Sequence, residues 1–204
     1  MILSTIYLVA EDQLGLAIGR KLIAGEKSLT IYREENGHGF GVLKRKTPNF
    51  QKMGRHMPVL MLTDLDKWPC ASTLIEEWLG EQPNSGFLFR VCVRTVEAWL
   101  MADRAAVADL LRIPEANIPL QPDMLPNPKA QLIQLAKRAP KRVRSALSPI
   151  GTATIGPEYN EMLSDFVEKK WNPIVAAKVS PSLARTSLRL NQLVNRISRQ
   201  TVKR

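Results

Sequence analysis

The chain has 204 residues, of which 45% are hydrophobic, enough to bury a core and too apolar for a wholly disordered chain. No repeat, glycine period or low-complexity tract points to a fibrous class, and no run approaches the roughly 18 apolar residues of a membrane-spanning helix. Cys70 and Cys92 have no zinc or redox spacing, so the expectation is a soluble, cytoplasmic protein without a disulfide scaffold. Net charge is +10 and unevenly spread: residues 1–100 carry 12 Lys+Arg against 11 Asp+Glu, and residues 101–204 carry 17 against 8. A basic C-terminal half fits a polyanionic partner, since each neutralised phosphate releases counterions. A merely cationic, solvated surface has the same composition.

Thr5 to Ala10 is a β-prone apolar run, and Leu14, Ile18 and Leu22 then recur at helical spacing. Ser28 to Tyr32 predicts a second strand. Arg33 to Gly41, with Gly37, Gly39 and Gly41 around His38, predicts a loop, and a helix from about Phe40 to Met53 is interrupted by Pro48. His56 to Thr63 is the strongest strand and runs into Asp64-Leu65-Asp66. Pro69 suits the first turn of the next helix, which carries Leu74, Ile75, Trp78 and Leu79. Phe87 to Val93 is a fourth strand leading into the segment VEAWLMAD.

Apolar strands alternating with helices predict an α/β domain over residues 1–103, with a parallel sheet flanked by helices. Residues 104–204 read as a basic helical appendage packed on it, with helices over Arg104–Arg112, Lys129–Lys137, Glu158–Lys169 and Leu183–Ser198. In the last, Leu183, Leu190, Val194 and Ile197 form an apolar stripe, and Arg185, Arg189, Arg196 and Arg199 lie away from it.

Ligands of open parallel sheets gather at the carboxyl ends of the strands, and acids fall at three of these ends. Glu11 and Asp12 follow the first strand, Asp64 and Asp66 the third, and Glu97 the fourth. If Asp64-Leu65-Asp66 is extended, alternation places both carboxylates on one side, where hard oxygen donors suit Mg2+ or Mn2+. Each acid taken singly is also explained by a helix cap or a solvated turn.

Other residues are weighed for contact with a nucleic acid. The glycines around His38 offer backbone amides to a phosphate, and Lys44, Arg45 and Lys46 follow them. Arg94 stands close to the acids, Lys129 opens a helix in PNPKAQL, and Lys137, Arg138, Lys141, Arg142 and Arg144 form the densest charge run. Arg90, inside an apolar strand, is expected to pair with one of the acids. Trp99 is expected in the core, and Ser180-Pro181 reads as a helix cap.

The order LVAED, LTDLD and VRTVEAWLMAD resembles the Toprim domain of topoisomerases, primases and OLD-class nucleases. Together with the GHGFG loop, PNPKAQL and SPSLARTSLRL, it is similar across nearly the whole chain to a family of bacterial Toprim-like proteins often encoded beside ATPases. The resemblance implies cleavage or transfer at a phosphodiester, with Glu11 as general acid or base. Asp64 and Asp66, with Glu97 and with Asp12 nearby, would hold Mg2+ or Mn2+. DNA ahead of RNA is the implied substrate, an ATPase a possible partner, and defence against phage an associated role. Asp12 and Leu14 stand where the OLD-type motif has Gly and a second acid, and Thr95 stands where another acid is expected. These departures keep open an inactive or partner-activated module that binds an ATPase or nucleic acid. A phosphatase using Asp64 as nucleophile is less well matched, because Trp68 replaces the Thr or Val of that motif.

Overall fold

The computed structural model describes residues 4–80 and 83–202. Four strands, β1 (Ser4–Ala10), β2 (Leu29–Asn36), β3 (Val59–Asp64) and β4 (Phe87–Cys92), form one parallel sheet in the order β2-β1-β3-β4. Parallel neighbours require crossovers, supplied by α1 (Gln13–Ala24), α2 (Phe40–Met53) and α3 (Ala71–Leu79). The chain steps from β1 outward to β2, then returns across β1 to β3. The order therefore reverses between β1 and β3, and a crevice at the carboxyl ends of these two strands is the expected ligand position of such a sheet.

Alternation along the strands divides the core between two faces. Tyr7, Val9, Val59, Met61, Phe87 and Phe89 pack beneath α2 and α3 with Leu43, Phe50, Leu74 and Trp78. Ile6, Leu8, Ala10, Leu60, Leu62 and Cys92 face the other way, where α1 is joined by helices of the C-terminal half. These are α4 (Val96–Ala102), α5 (Arg104–Leu111), α6 (Pro128–Ala136), α7 (Lys141–Leu147), α8 (Tyr159–Lys169), α9 (Pro173–Ala177) and α10 (Pro181–Val202), with short 3-10 turns at Glu115–Asn117 and Pro122–Met124.

Both halves share one core on this face. Trp99, Tyr159, Phe166 and Trp171 lie in a single cluster with Leu8, Leu14 and Ile18. Polar ties reinforce it: the Trp99 indole donates to Ser182 Oγ at 2.7 Å, and buried Asp103 accepts from the Asn172 amide at 2.8 Å while capping α5. Ser180 caps α10 through the Leu183 amide, as its sequence implies.

The structure corrects three local expectations, the first being the interruption at Pro48, since α2 runs unbroken from Phe40 to Met53 with that proline inside it. Arg33 to Asn36 are strand rather than loop: β2 continues through them and pairs with Tyr7–Ala10 after a register shift. β2 is an edge strand, so Arg33 and Glu34 stay in solvent and their polarity does not disfavour pairing. The third helix starts at Ala71 rather than at Pro69. Among the described residues no helix is long and apolar enough to cross a membrane. Cys70 and Cys92 are free thiols.

Candidate active site

Glu11 and Asp64 meet at the reversal point. The Thr63 hydroxyl donates to Glu11 Oε2 at 3.1 Å, and the Asp64 amide approaches the same oxygen at 3.4 Å, so the end of β3 holds the carboxylate that ends β1. Asp64 Oδ1 in turn accepts from the Val96 amide at 2.9 Å, which ties β3 to the start of α4. Glu97 follows on α4 and is buried, 1% exposed. Its Oε2 accepts from Thr95, and its Oε1 from the Tyr159 hydroxyl at 2.9 Å. Lys129 Nζ, on the first turn of α6, lies 3.5 Å from the same Oε1. The Asn127 side chain caps α6 and sets where that turn begins.

Charge follows this geometry. Burial pushes the Asp64 carboxyl well above the usual carboxylate range, and Glu97, Glu11 and Asp12 add repulsion that Lys129 only partly offsets. Burial also raises Glu11, despite the Asp64 amide that favours its anion, with Asp66 and Asp12 adding to the rise. For Lys129, burial works against the charged form, but Glu97, Asp64 and Asp12 outweigh it and the ammonium is held above its ordinary value. Burial and Glu97 push the Tyr159 phenol up, so it remains a donor. Glu97, Asp64 and Asp12 thus all favour the one ammonium, and Glu97 is in contact with it.

The expected residues sort as follows. Glu11 and Asp64 are joined through the end of β3, Asp64 accepts from the amide next to Glu97, and Glu97 meets Lys129; Asp12 is near enough to act on the charges of Asp64 and Lys129. Asp12 also caps α1, its Oδ1 accepting from Gly15 at 2.8 Å. Asp66 is a different case. β3 ends at Asp64, and Asp66 sits exposed in a turn with φ 48°, so strand alternation does not govern its direction. It nevertheless lies near enough to raise Glu11.

Glu97 is not an open ligand, because the donors from Thr95, Tyr159 and Lys129 engage both its oxygens. Sequence reading treated Thr95 as a missing acid; its hydroxyl is instead a partner of Glu97. Tyr159 was missed entirely. It stands 62 residues from Glu97 in a segment whose sequence shows only the start of an amphipathic helix.

The Gly-rich loop does not present its amides to a ligand. Gly37 donates to Ala10 O at 2.7 Å and Gly39 to Glu11 O at 3.0 Å, which fastens the loop to the end of β1. Gly39, at φ 91°, supplies the positive-φ turn into α2. His38 is exposed beside it. Lys44 pairs with Glu77 at 2.9 Å and Lys46 with Glu35 at 2.7 Å, leaving Arg45 as the member of that run without an ion pair among the described residues.

Arg94 donates to the carbonyls of Asp66 at 3.1 Å and Trp68 at 2.6 Å, and so shapes the loop after β3. Lys137, Arg138, Lys141 and Arg142 are exposed around the start of α7 and form no ion pair among the described residues. Arg90 finds no acid, contrary to expectation. Its Nε donates to Thr186 Oγ1 at 3.4 Å, because the helix covering its strand is α10, which contains no acid.

The donor set suits a hard dication. It is all oxygen, and Glu11 Oε1 and Asp64 Oδ2 accept no hydrogen bond among the described residues. Among those residues no three His, Cys, Asp or Glu side chains are grouped closely enough to hold a metal by themselves. Mg2+ is commonly held by one or two carboxylates plus water and substrate phosphate rather than by a cage of protein ligands. Comparison with known proteins adds no relative: no family model matches the chain, nor does any curated protein or solved structure.

Proposed function

We propose that the chain is a Toprim-like, divalent-metal-dependent phosphodiesterase acting on nucleic acid, DNA ahead of RNA. The observation that carries this reading is the meeting of Glu11 and Asp64 at the reversal point of a parallel sheet, each with an oxygen left open, beside a lysine held by Glu97. Asp64 and Asp66 would hold Mg2+ or Mn2+. When bound, such a cation supplies charge to the phosphate oxygens and lowers the pKa of a water.

The chain's own groups supply the rest. Glu11 exchanges a proton at Oε1, the oxygen not tied to β3. Lys129 presents its ammonium to a phosphate oxygen, and Glu97, locked by Thr95 and Tyr159, positions it. A cationic donor beside carboxylates suits a substrate whose bridging phosphate is anionic and whose leaving group departs as an alkoxide.

The engagement of Glu97 favours a second reading, a module activated by a partner such as an ATPase, in which contact with that partner rearranges the site. Cleavage of plasmid, linear and single-stranded DNA in Mg2+, Mn2+ or EDTA tests the main proposal, with Glu11→Gln and Asp64→Asn as variants. Metal-dependent cleavage, reduced about 100-fold or more in each variant, is the expected result. No cleavage, or cleavage indifferent to both substitutions, would reject it.

A further inference from the structure

α10 is 22 residues long, carries four arginines and contains no Asp or Glu. Leu183, Leu190, Leu193 and Val194 bury its apolar stripe in the core. The arginines fall on another line: Arg185, Arg189, Arg196 and Arg199, with Gln192 between them, follow a spacing of four, three, four and three. That spacing keeps side chains on one helix face. At 1.5 Å per residue the row is about 21 Å long.

The row runs along β4, an edge of the sheet. Arg90 on β4 contacts Thr186, and Arg196 donates to the Ser85 carbonyl just before β4. The helix therefore runs antiparallel to the strand, away from its carboxyl end. Its first turns lie against the carboxyl-terminal part of β4, since Thr186 meets Arg90 two residues before Cys92, and Cys92 pairs with Asp64 of the acidic site. Near the far end lies a surface groove of about 310 Å³, bordered by Asn84, Ser85, Leu88, Arg189, Gln192 and Arg196.

Nothing within the described residues neutralises this row. None of Arg90, Arg185, Arg189, Arg196 and Arg199 forms an ion pair there, although eight other cation–carboxylate pairs occur. Arg90 adds to the concentration of charge. It is partly buried beside Arg185 and Arg189, and burial together with those like charges holds its guanidinium below its ordinary value. A cation kept beside other cations, with no internal acid, is relieved when an external anion arrives.

We infer that the α10 face bearing Arg185, Arg189, Arg196 and Arg199, with Arg90 beside it, is the track along which a nucleic-acid phosphodiester backbone lies as it leaves the acidic site. The inference rests on the phosphodiesterase reading and supplies its substrate-binding surface. Phosphates of one strand of a duplex recur every 3.4 Å along the axis, so a 21 Å row spans about six of them. Guanidinium groups are suited to this task because their fixed forks match phosphate geometry. The exposed run around α7 is the competing basic surface, but it is divided between the end of α6 and the start of α7 and so does not form one row along a single helix face.

The test measures binding of the full chain to a fluorescein-labelled 30-nucleotide single strand and a 30-base-pair duplex in EDTA, by anisotropy at several salt concentrations. Asp64→Asn serves as the background, so binding is read without cleavage. Arg185→Glu/Arg189→Glu, both at exposed positions, is expected to weaken binding at least tenfold and to flatten the slope of log K against log salt by about 1.4 to 1.8, the share of two phosphate contacts. Lys137→Glu/Arg138→Glu, with the same change in net charge, is expected to weaken it less than threefold. Unchanged binding in the α10 variant, or equal losses in the two variants, would overturn the proposal. Binding through α10 by a chain that never cleaves would reject the catalytic reading alone. With Asp64 retained and Mg2+ present, cleavage unaffected by Arg185→Glu/Arg189→Glu would reject the track alone.

Discussion

Lys129 Nζ stands 3.5 Å from Oε1 of Glu97, and the two differ sharply in burial: the lysine side chain is 38% exposed and the glutamate 1%. Removing the lysine strands a buried carboxylate, whereas removing the carboxylate leaves a cation that can still reach water. Lys129→Met is expected to destabilise the chain by about 1–2 kcal/mol, less than for a fully enclosed pair because the ammonium is partly screened. Adding Glu97→Gln to that variant should restore most of the loss. Thermal melts of the two single variants and the double variant check this, and strictly additive effects would argue that the two side chains do not interact.

The direction of the Asp64 shift predicts a pH dependence. Its folded-state pKa lies above the unfolded value through burial and the neighbouring Glu97 and Glu11. Its contribution to stability is therefore fully present below the unfolded pKa and is lost as pH rises through the folded one. Asp64→Asn keeps an acceptor for the Val96 amide and removes the charge. In EDTA the variant should melt above wild type at pH 8, by about 2–4 °C if the gain is near 1 kcal/mol, and should match wild type near pH 3. A higher melting temperature for wild type at pH 8 would contradict this account.

The shared core predicts that the α/β half cannot stand alone. Trp99, Leu8, Leu14 and Ile18 lie in one cluster with Tyr159, Phe166 and Trp171, so residues 1–103 by themselves would expose the sides of α1 and α4 that the C-terminal helices cover. The fragment should aggregate or show no cooperative thermal transition by circular dichroism. A sharp, reversible melt of the fragment would show that its core is self-sufficient.

The two thiols should react very differently. Hydrogen bonds with Ser72 and Thr73 bring the exposed Cys70 thiol down to about 7, whereas burial pushes Cys92 up. Iodoacetamide at pH 7.5 is expected to label Cys70 within minutes and to leave Cys92 unmodified until denaturant is added. Equal labelling of both in the native chain would show that β4 opens readily.

Much of the fold was legible because it depends on local rules. The apolar runs at Ile6–Ala10 and Val59–Leu62 are strands, and Leu14, Ile18 and Leu22 mark a helix, because period and chain direction dictate which side chains can be buried together. The end of β2 is not legible in the sequence because the strand signal weakens where one edge faces water, as it does for Arg33 and Glu34. The short α7 and α9, each less than two turns in length, leave no periodic signal in the sequence.

The acids at the strand ends were visible in the sequence for the same local reason: Glu11 and Asp64 directly follow apolar strands, and a parallel sheet gathers such ends on one edge. The partners of those acids were not visible. That Lys129 and Tyr159 close on Glu97 and that Arg90 meets arginines instead of an acid depend on how helices 30 to 100 residues away pack on the sheet, and that Arg94 turns to two carbonyls depends on the loop that follows β3. Alternation and periodicity determine which way a side chain points from its own element. Only the docking of distant elements, driven by apolar faces that carry no information about individual charges, decides what that side chain meets.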